Sequence, residues 1–145
     1  MTELTNLTKE SIDKKFLIRV AETVLKNEQK KNFELSVVLV GKERIKRLNK
    51  EFLKKDRPTD VLAFPENEEL LKRIKPKEKN YPLGEIVICP EQIRKNAQDF
   101  KMIFEKELAR VLIHGILHLL GYDHEKTVSQ AKKMKEKENY YFQKI

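Results

Sequence analysis

The sequence is poor in cysteine: Cys89 is the only one among 145 residues. No disulfide can close within the chain, and a reducing compartment is expected. Long apolar runs are missing too. The longest, Val111–Leu120, is interrupted by His114, Gly115 and His118 and falls short of the roughly 18 residues that cross a bilayer. The opening residues, MTELTN, have neither the basic start nor the apolar stretch of a secretory signal. No Gly- or Ser-rich linker, repeat or low-complexity tract divides the chain. These absences predict one cytoplasmic domain over residues 1–145, not bound to a membrane and long enough to bury a core.

Positive charge is in excess. Lys and Arg number 31 against 23 Asp and Glu, a net +8. That balance favours polyanionic partners through counterion release and long-range steering. Lys and Glu also interleave along most helical stretches, dispersed as on a solvated surface. Charge alone leaves the two readings open.

Residues 9–31 place Ile12, Phe16, Val20 and Val24 at helical spacing, with Thr8 or Ser11 as cap. Residues 33–40 (FELSVVLV) alternate as a strand, and 43–53 read as a short basic helix with Ile45, Leu48 and Phe52 inward. Pro58 sets a turn over 56–60, after which 61–64 form a short strand stopped by Pro65. Residues 66–82 read as a charged loop with one helical turn at most. Residues 83–89 (LGEIVIC) form a buried strand, and Pro90 opens a helix to Gln98. Residues 103–120 are apolar almost all round, which marks a central buried helix ended by Gly121. Residues 126–141 form a terminal amphipathic helix carrying Val128, Ala131, Met134 and Tyr141. The expected fold is α+β: a small mixed sheet packed with about five helices around a central buried one.

All three histidines fall within HGILHLLGYDH, residues 114–124. His114 and His118 share one helix face, roughly 5–6 Å apart at Cβ, so two imidazoles can reach one ion. Gly121 lets the chain turn back and bring His124 to a third position. Three ordinary histidines would instead leave two polar rings side by side in an apolar helix without evident partners. We therefore expect one divalent metal per chain, zinc by donor set, on His114, His118 and His124. Nickel, cobalt and copper suit the same donors. Three protein ligands leave a fourth position for water, which makes a catalytic site, with metal-bound water as nucleophile. A closed structural site would need a fourth ligand, and Cys89 is the only thiol. The spacing is that of metzincin proteases, but Gly115 stands where those carry the catalytic Glu, which argues against proteolysis. Asp123 is a candidate base and equally a loop-forming residue.

The segment HGILHLLGYDH resembles the signature of the YbeY family of bacterial rRNA-maturation proteins, including the Gly after the first His. Residues 58–65 (PTDVLAFP) look like the family's PTDVLSFP, and residues 83–88 (LGEIVI) like its LGDIVI. The resemblance implies a metal-dependent, single-strand-specific endoribonuclease, a hydrolase of phosphodiester bonds. It would act in small-subunit rRNA 3′-end maturation and ribosome quality control, as a monomer docking on the small ribosomal subunit and its proteins. The three His carry over as metal ligands, and Thr59 and Asp60 as residues lining the cleft, where a turn with an Asx-type bond is the plainer reading. Two departures stand out. Leu53 occupies the place of a family Arg, for which Lys54, Lys55 or Arg57 would substitute as substrate-binding charges. No clear strand precedes the first helix.

Two other functions compete. One is a non-RNA metal hydrolase on a metzincin-like scaffold, which an acidic group near the metal would favour. The other is a non-catalytic ribosome-associated zinc protein, which Cys89 or Asp123 as fourth ligand would favour.

Overall fold

The computed structural model describes residues 1–66, 81–123 and 125–145. Strand β1 (Thr2–Asn6) leads to helix α1 (Lys14–Asn27), strand β2 (Phe33–Leu39) and helix α2 (Lys42–Leu53). Strands β3 (Val61–Pro65) and β4 (Tyr81–Ile88) follow, then helices α3 (Pro90–Asp99), α4 (Phe104–Leu119) and α5 (Val128–Phe142). The sheet has the order β1-β2-β4-β3, with β1–β2 and β2–β4 parallel and β3–β4 antiparallel. The fold is the expected α+β one, with a mixed sheet.

The alternation of β2 sends Phe33, Leu35, Val37 and Leu39 to one face, where they meet Leu83, Ile86 and Ile88 of β4. That face carries the main core, built with α1, α3, α4 and α5. The other face carries a smaller cluster of Val40, Leu62, Val87 and Cys89, capped by Ile45 and Leu48 of α2 and by Phe64. Helix α4 thus lies against the sheet opposite α2, and is buried at ten of its sixteen residues. Among the described residues no helix is long and apolar enough to cross a membrane.

Several boundaries differ from expectation. Helix α1 starts at Lys14, capped by Asp13 rather than Thr8 or Ser11, because residues 6–10 bond among themselves. Asn6 Oδ1 accepts from the Thr8 amide at 2.9 Å, Asn6 Nδ2 donates to the Glu10 carbonyl at 2.9 Å, and the Glu10 amide donates to Thr8 Oγ1 at 3.2 Å. Such local bonds compete with a helix. The N-terminus does form a strand, contrary to expectation. Leu4 is its one apolar residue; backbone pairing with β2 from Thr2↔Leu35 to Asn6↔Leu39 defines it. Phe52 and Val128, expected inward, are 55% and 88% exposed, because each sits at a helix end past the packed stretch. Most of the loop expected at 66–82 lies outside the described residues, though Tyr81 and Pro82 belong to β4.

Gly84 is a point where only glycine fits. It follows an irregularity in the β2–β4 ladder, has φ +148°, and a Cβ there would lie 2.5 Å from the Phe64 carbonyl oxygen and 3.1 Å from Leu119 Cδ2. Gly84→Ala is expected to cost more than roughly 2 kcal/mol in urea denaturation. Gly41→Ala, at φ −76° with nothing within 4 Å of the new Cβ, should stay within about 1 kcal/mol. Equal losses at the two sites would contradict this packing.

Candidate metal centre

Glu107, Arg110, His114 and His118 follow each other at steps of three and four, so they form one polar stripe along a helix that is apolar elsewhere past its first turn. The stripe is largely paired. Glu107 is 1% exposed and accepts from Arg110 Nε at 3.0 and 3.1 Å as well as from Nη2. The Glu107 hydrogen bond raises the Arg110 guanidinium against the opposing effect of burial, helped by the negative charges of Glu107, Glu138 and Asp60. The charge of Asp60, just before β3, thus acts on Arg110.

His114 Nδ1 is hydrogen-bonded to Glu138 Oε1 of α5. Burial alone would raise the Glu138 carboxyl. The bond to His114 and the charges around it, Lys135 Nζ at 3.9 Å and Arg110, carry it below the usual carboxylate range. An ionised acceptor there favours a proton on Nδ1. The His side chains are less buried than the sequence suggests. That of His114 is 31% exposed and His118 is an exposed residue, while the partner the sequence did not reveal is Glu138.

The donor set fits a metal as far as it is described. Two imidazoles one turn apart, one of them hydrogen-bonded to a carboxylate, could serve as two arms of a His site. His124, the third expected ligand, lies outside the described residues. Among the described residues no group of three His, Cys, Asp or Glu could hold a metal ion. Cys89 is not near this stripe: it is fully buried in the α2-side cluster, where burial pushes its thiol up. Asp123 Oδ1 accepts from the Glu125 amide at 2.8 Å, the geometry of a loop-forming Asp. Thr59 Oγ1 lies 3.5 Å from Asp60 Oδ1, and the Asp60 carbonyl accepts from the Cys89 amide at 2.9 Å. Lys54, Lys55 and Arg57 are exposed in the turn leading to them. Gly115 faces β4. A Cβ there would lie 3.2 Å from Ile86 Cδ1, so an acidic side chain at this position would drive into the sheet.

A second carboxylate braces the loop after α4. Glu28, at the end of α1, accepts from Tyr122 Oη at 2.7 Å, from Lys137 Nζ at 3.0 Å and from Tyr141 Oη. Burial would raise its carboxyl, but these three donors outweigh burial and hold it below the usual range. The two phenols are pushed up by burial and by their bonds to Glu28. One carboxylate thus ties α1, α5 and the residue after Gly121 together, beside a cleft of about 330 Å³ that Lys30 and Lys133 also line.

Sequence reasoning missed Glu138 and Glu28. Glu138 carried a signal: it stands between Met134 and Tyr141 at the same helical register, a charge where the stripe calls for an apolar residue. Glu28 carried none, since its partners are 94 to 113 residues away.

The profile of the family described as endoribonuclease YbeY matches residues 3–145. Among curated relatives, the endoribonuclease YbeY of Thermotoga neapolitana is 46% identical over 114 residues, 79% of this chain and 68% of that protein. The one from Aquifex aeolicus is 39% identical over 143 residues, 98% of this chain and 90% of that protein. The solution structure of TM1509 from Thermotoga maritima superposes with a TM-score of 0.69 at 39% identity, covering 98% of this chain and 87% of that one.

Because the Glu28 carboxyl is lowered in the folded state, its stabilisation is present above the ordinary carboxylate value of 4.5 and is lost as the pH falls through the lowered one. Glu28→Gln should therefore cost roughly 1–3 kcal/mol at neutral pH. The gap in thermal stability should shrink on acidification below about pH 4.5. A gap that is constant with pH would contradict the three-donor hub.

Proposed function

The chain belongs to the endoribonuclease YbeY family, and from that premise we propose how its residues serve RNA cleavage. It is an endoribonuclease of rRNA processing, a hydrolase whose substrate is RNA. Beyond this, we read it as specific for single strands, acting in small-subunit rRNA 3′-end maturation and ribosome quality control, in contact with the small ribosomal subunit and its proteins.

His114, His118 and His124 would hold one divalent metal, zinc by donor set. When bound, the ion supplies a Lewis acid at the scissile phosphate and lowers the pKa of an attacking water. The observation that carries this reading is the His114–Glu138 bond. It engages the Nδ1 edge of the ring and restrains its rotation, as the outer partner of a ligating histidine does. Glu107 fixes the Arg110 guanidinium one turn before His114. Thr59 and Asp60 line the approach beside it, and Lys54, Lys55 and Arg57 supply charge for the RNA backbone. The hydrolase of other substrates is less favoured. Glu138 is the acidic group it would need, but that carboxylate is engaged on the Nδ1 edge of His114.

Cleavage of a labelled single-stranded RNA in metal-defined buffer tests this reading. Wild type should cut, and His118→Ala, checked for fold, should lose more than about 100-fold, exceeding the loss typical of outer-sphere partners. Equal cleavage by both, or none by either with metal bound, would contradict it and favour the non-catalytic ribosome factor.

A further inference from the structure

The net charge is less dispersed than it reads along the sequence. Residues 42–57 hold eight Lys and Arg against three Glu and Asp, a net +5 of the chain's +8. All of this lies on α2 and the turn after it. Arg44, Arg47, Lys50, Lys54, Lys55 and Arg57 are exposed. Among the described residues their one ion pair is a loose contact of Lys50 with Asp56 at 3.9 Å. Arg47, Lys50 and Lys54, with Glu51 and Asp56, line a shallow depression of about 530 Å³.

In the middle of these cations stand two apolar side chains that the fold does not bury. Phe52 is 55% and Leu53 53% exposed. The Phe52 ring is not loose: it meets Phe64 of β3 edge-on, with centroids 5.1 Å apart and planes at 65°. The turn beneath is fixed as well. Lys54 takes the left-handed conformation at φ 60°, and buried Asn49 donates from Nδ2 to the Arg57 carbonyl at 2.9 Å. From there the chain runs through Thr59 and Asp60 into β3, the strand that packs against α4. Elsewhere, Glu3, Glu34, Glu66 and Glu85 gather near Met1, a region that disfavours a polyanion.

An anchored, exposed aromatic ring among exposed cations suits a chain that is anionic along its backbone and offers free π-faces. We propose that the C-terminal half of α2 and the turn to Thr59 form a docking platform for unpaired RNA. A base stacks on Phe52, and Arg47, Lys50 and Lys54 hold the flanking phosphates. The inference rests on the ribonuclease reading above and gives it a source of strand selectivity. A duplex keeps its bases in their own stacks and offers this surface phosphates only, whereas a single strand offers both. With Leu53 giving no hydrogen-bond donor, the contact tolerates any base.

The test is fluorescence anisotropy with a labelled single-stranded RNA and the matching duplex, in the uncut His118→Ala background, for Phe52, Phe52→Ala and Phe52→Tyr. Because Phe52 is exposed, thermal stability should hold in all three. Phe52→Ala should weaken single-strand binding roughly tenfold and leave duplex binding unchanged, and Phe52→Tyr should restore it. Lys50→Gln with Lys54→Gln should weaken both ligands and reduce the salt dependence by about one phosphate each. Unchanged single-strand affinity in Phe52→Ala, or equal losses on both ligands, overturns the platform and points to a protein partner for this surface. That failure is distinct from wild type neither binding nor cutting single-stranded RNA, which overturns the ribonuclease reading itself.

Discussion

A helix packed on most of its circumference has to carry four polar side chains on the side that remains. Helix α4 meets this constraint by pairing three of them and exposing His118, since an unsatisfied buried polar group costs a few kcal/mol. Glu107, 1% exposed, is matched by Arg110, and His114 by Glu138. The rest of the molecule follows from these pairings. Helix α5 must lie where Glu138 reaches His114, so Met134 and Tyr141 are its buried positions. A side chain at Gly115 would press on Ile86 of β4. Strand β3 packs against α4, and the charge of Asp60 just before it acts on Arg110.

Wherever an element is decided by its own apolar period, it was legible. The alternation in β2, the continuous apolar run of β4 and the all-round burial of α4 each needed only residues within the element. Elements decided by distant partners were not. Strand β1 has Leu4 and little else to mark it, and is made by backbone pairing with a strand some thirty residues on. The early start predicted for α1 failed for a different reason, the side-chain bonds of Asn6 and Thr8 that hold residues 6–10 out of the helix.

The centre divides in the same way. His114 and His118 could be paired from a spacing of four on one helix. The carboxylates that hold the neighbourhood in place, Glu138 and Glu28, come from other helices and show only in the fold. Basic charge was left open by the sequence, because interleaved signs along a chain do not say which residues share a surface. Helix α2 turns its cations outward as one patch, and β3 connects that patch to the α4 stripe. In the reading proposed above, β3 thereby links the proposed RNA platform to the candidate metal centre.

The account turns on Glu138 orienting His114 as a metal ligand. Zinc titration of the apo protein by calorimetry, wild type against Glu138→Gln, addresses this most directly. One zinc per chain should bind to wild type, with affinity roughly 10–100-fold weaker in the variant and the fold unchanged. Identical affinities would show that the carboxylate does not act through the histidine, and absence of binding to folded wild type would contradict the metal centre altogether.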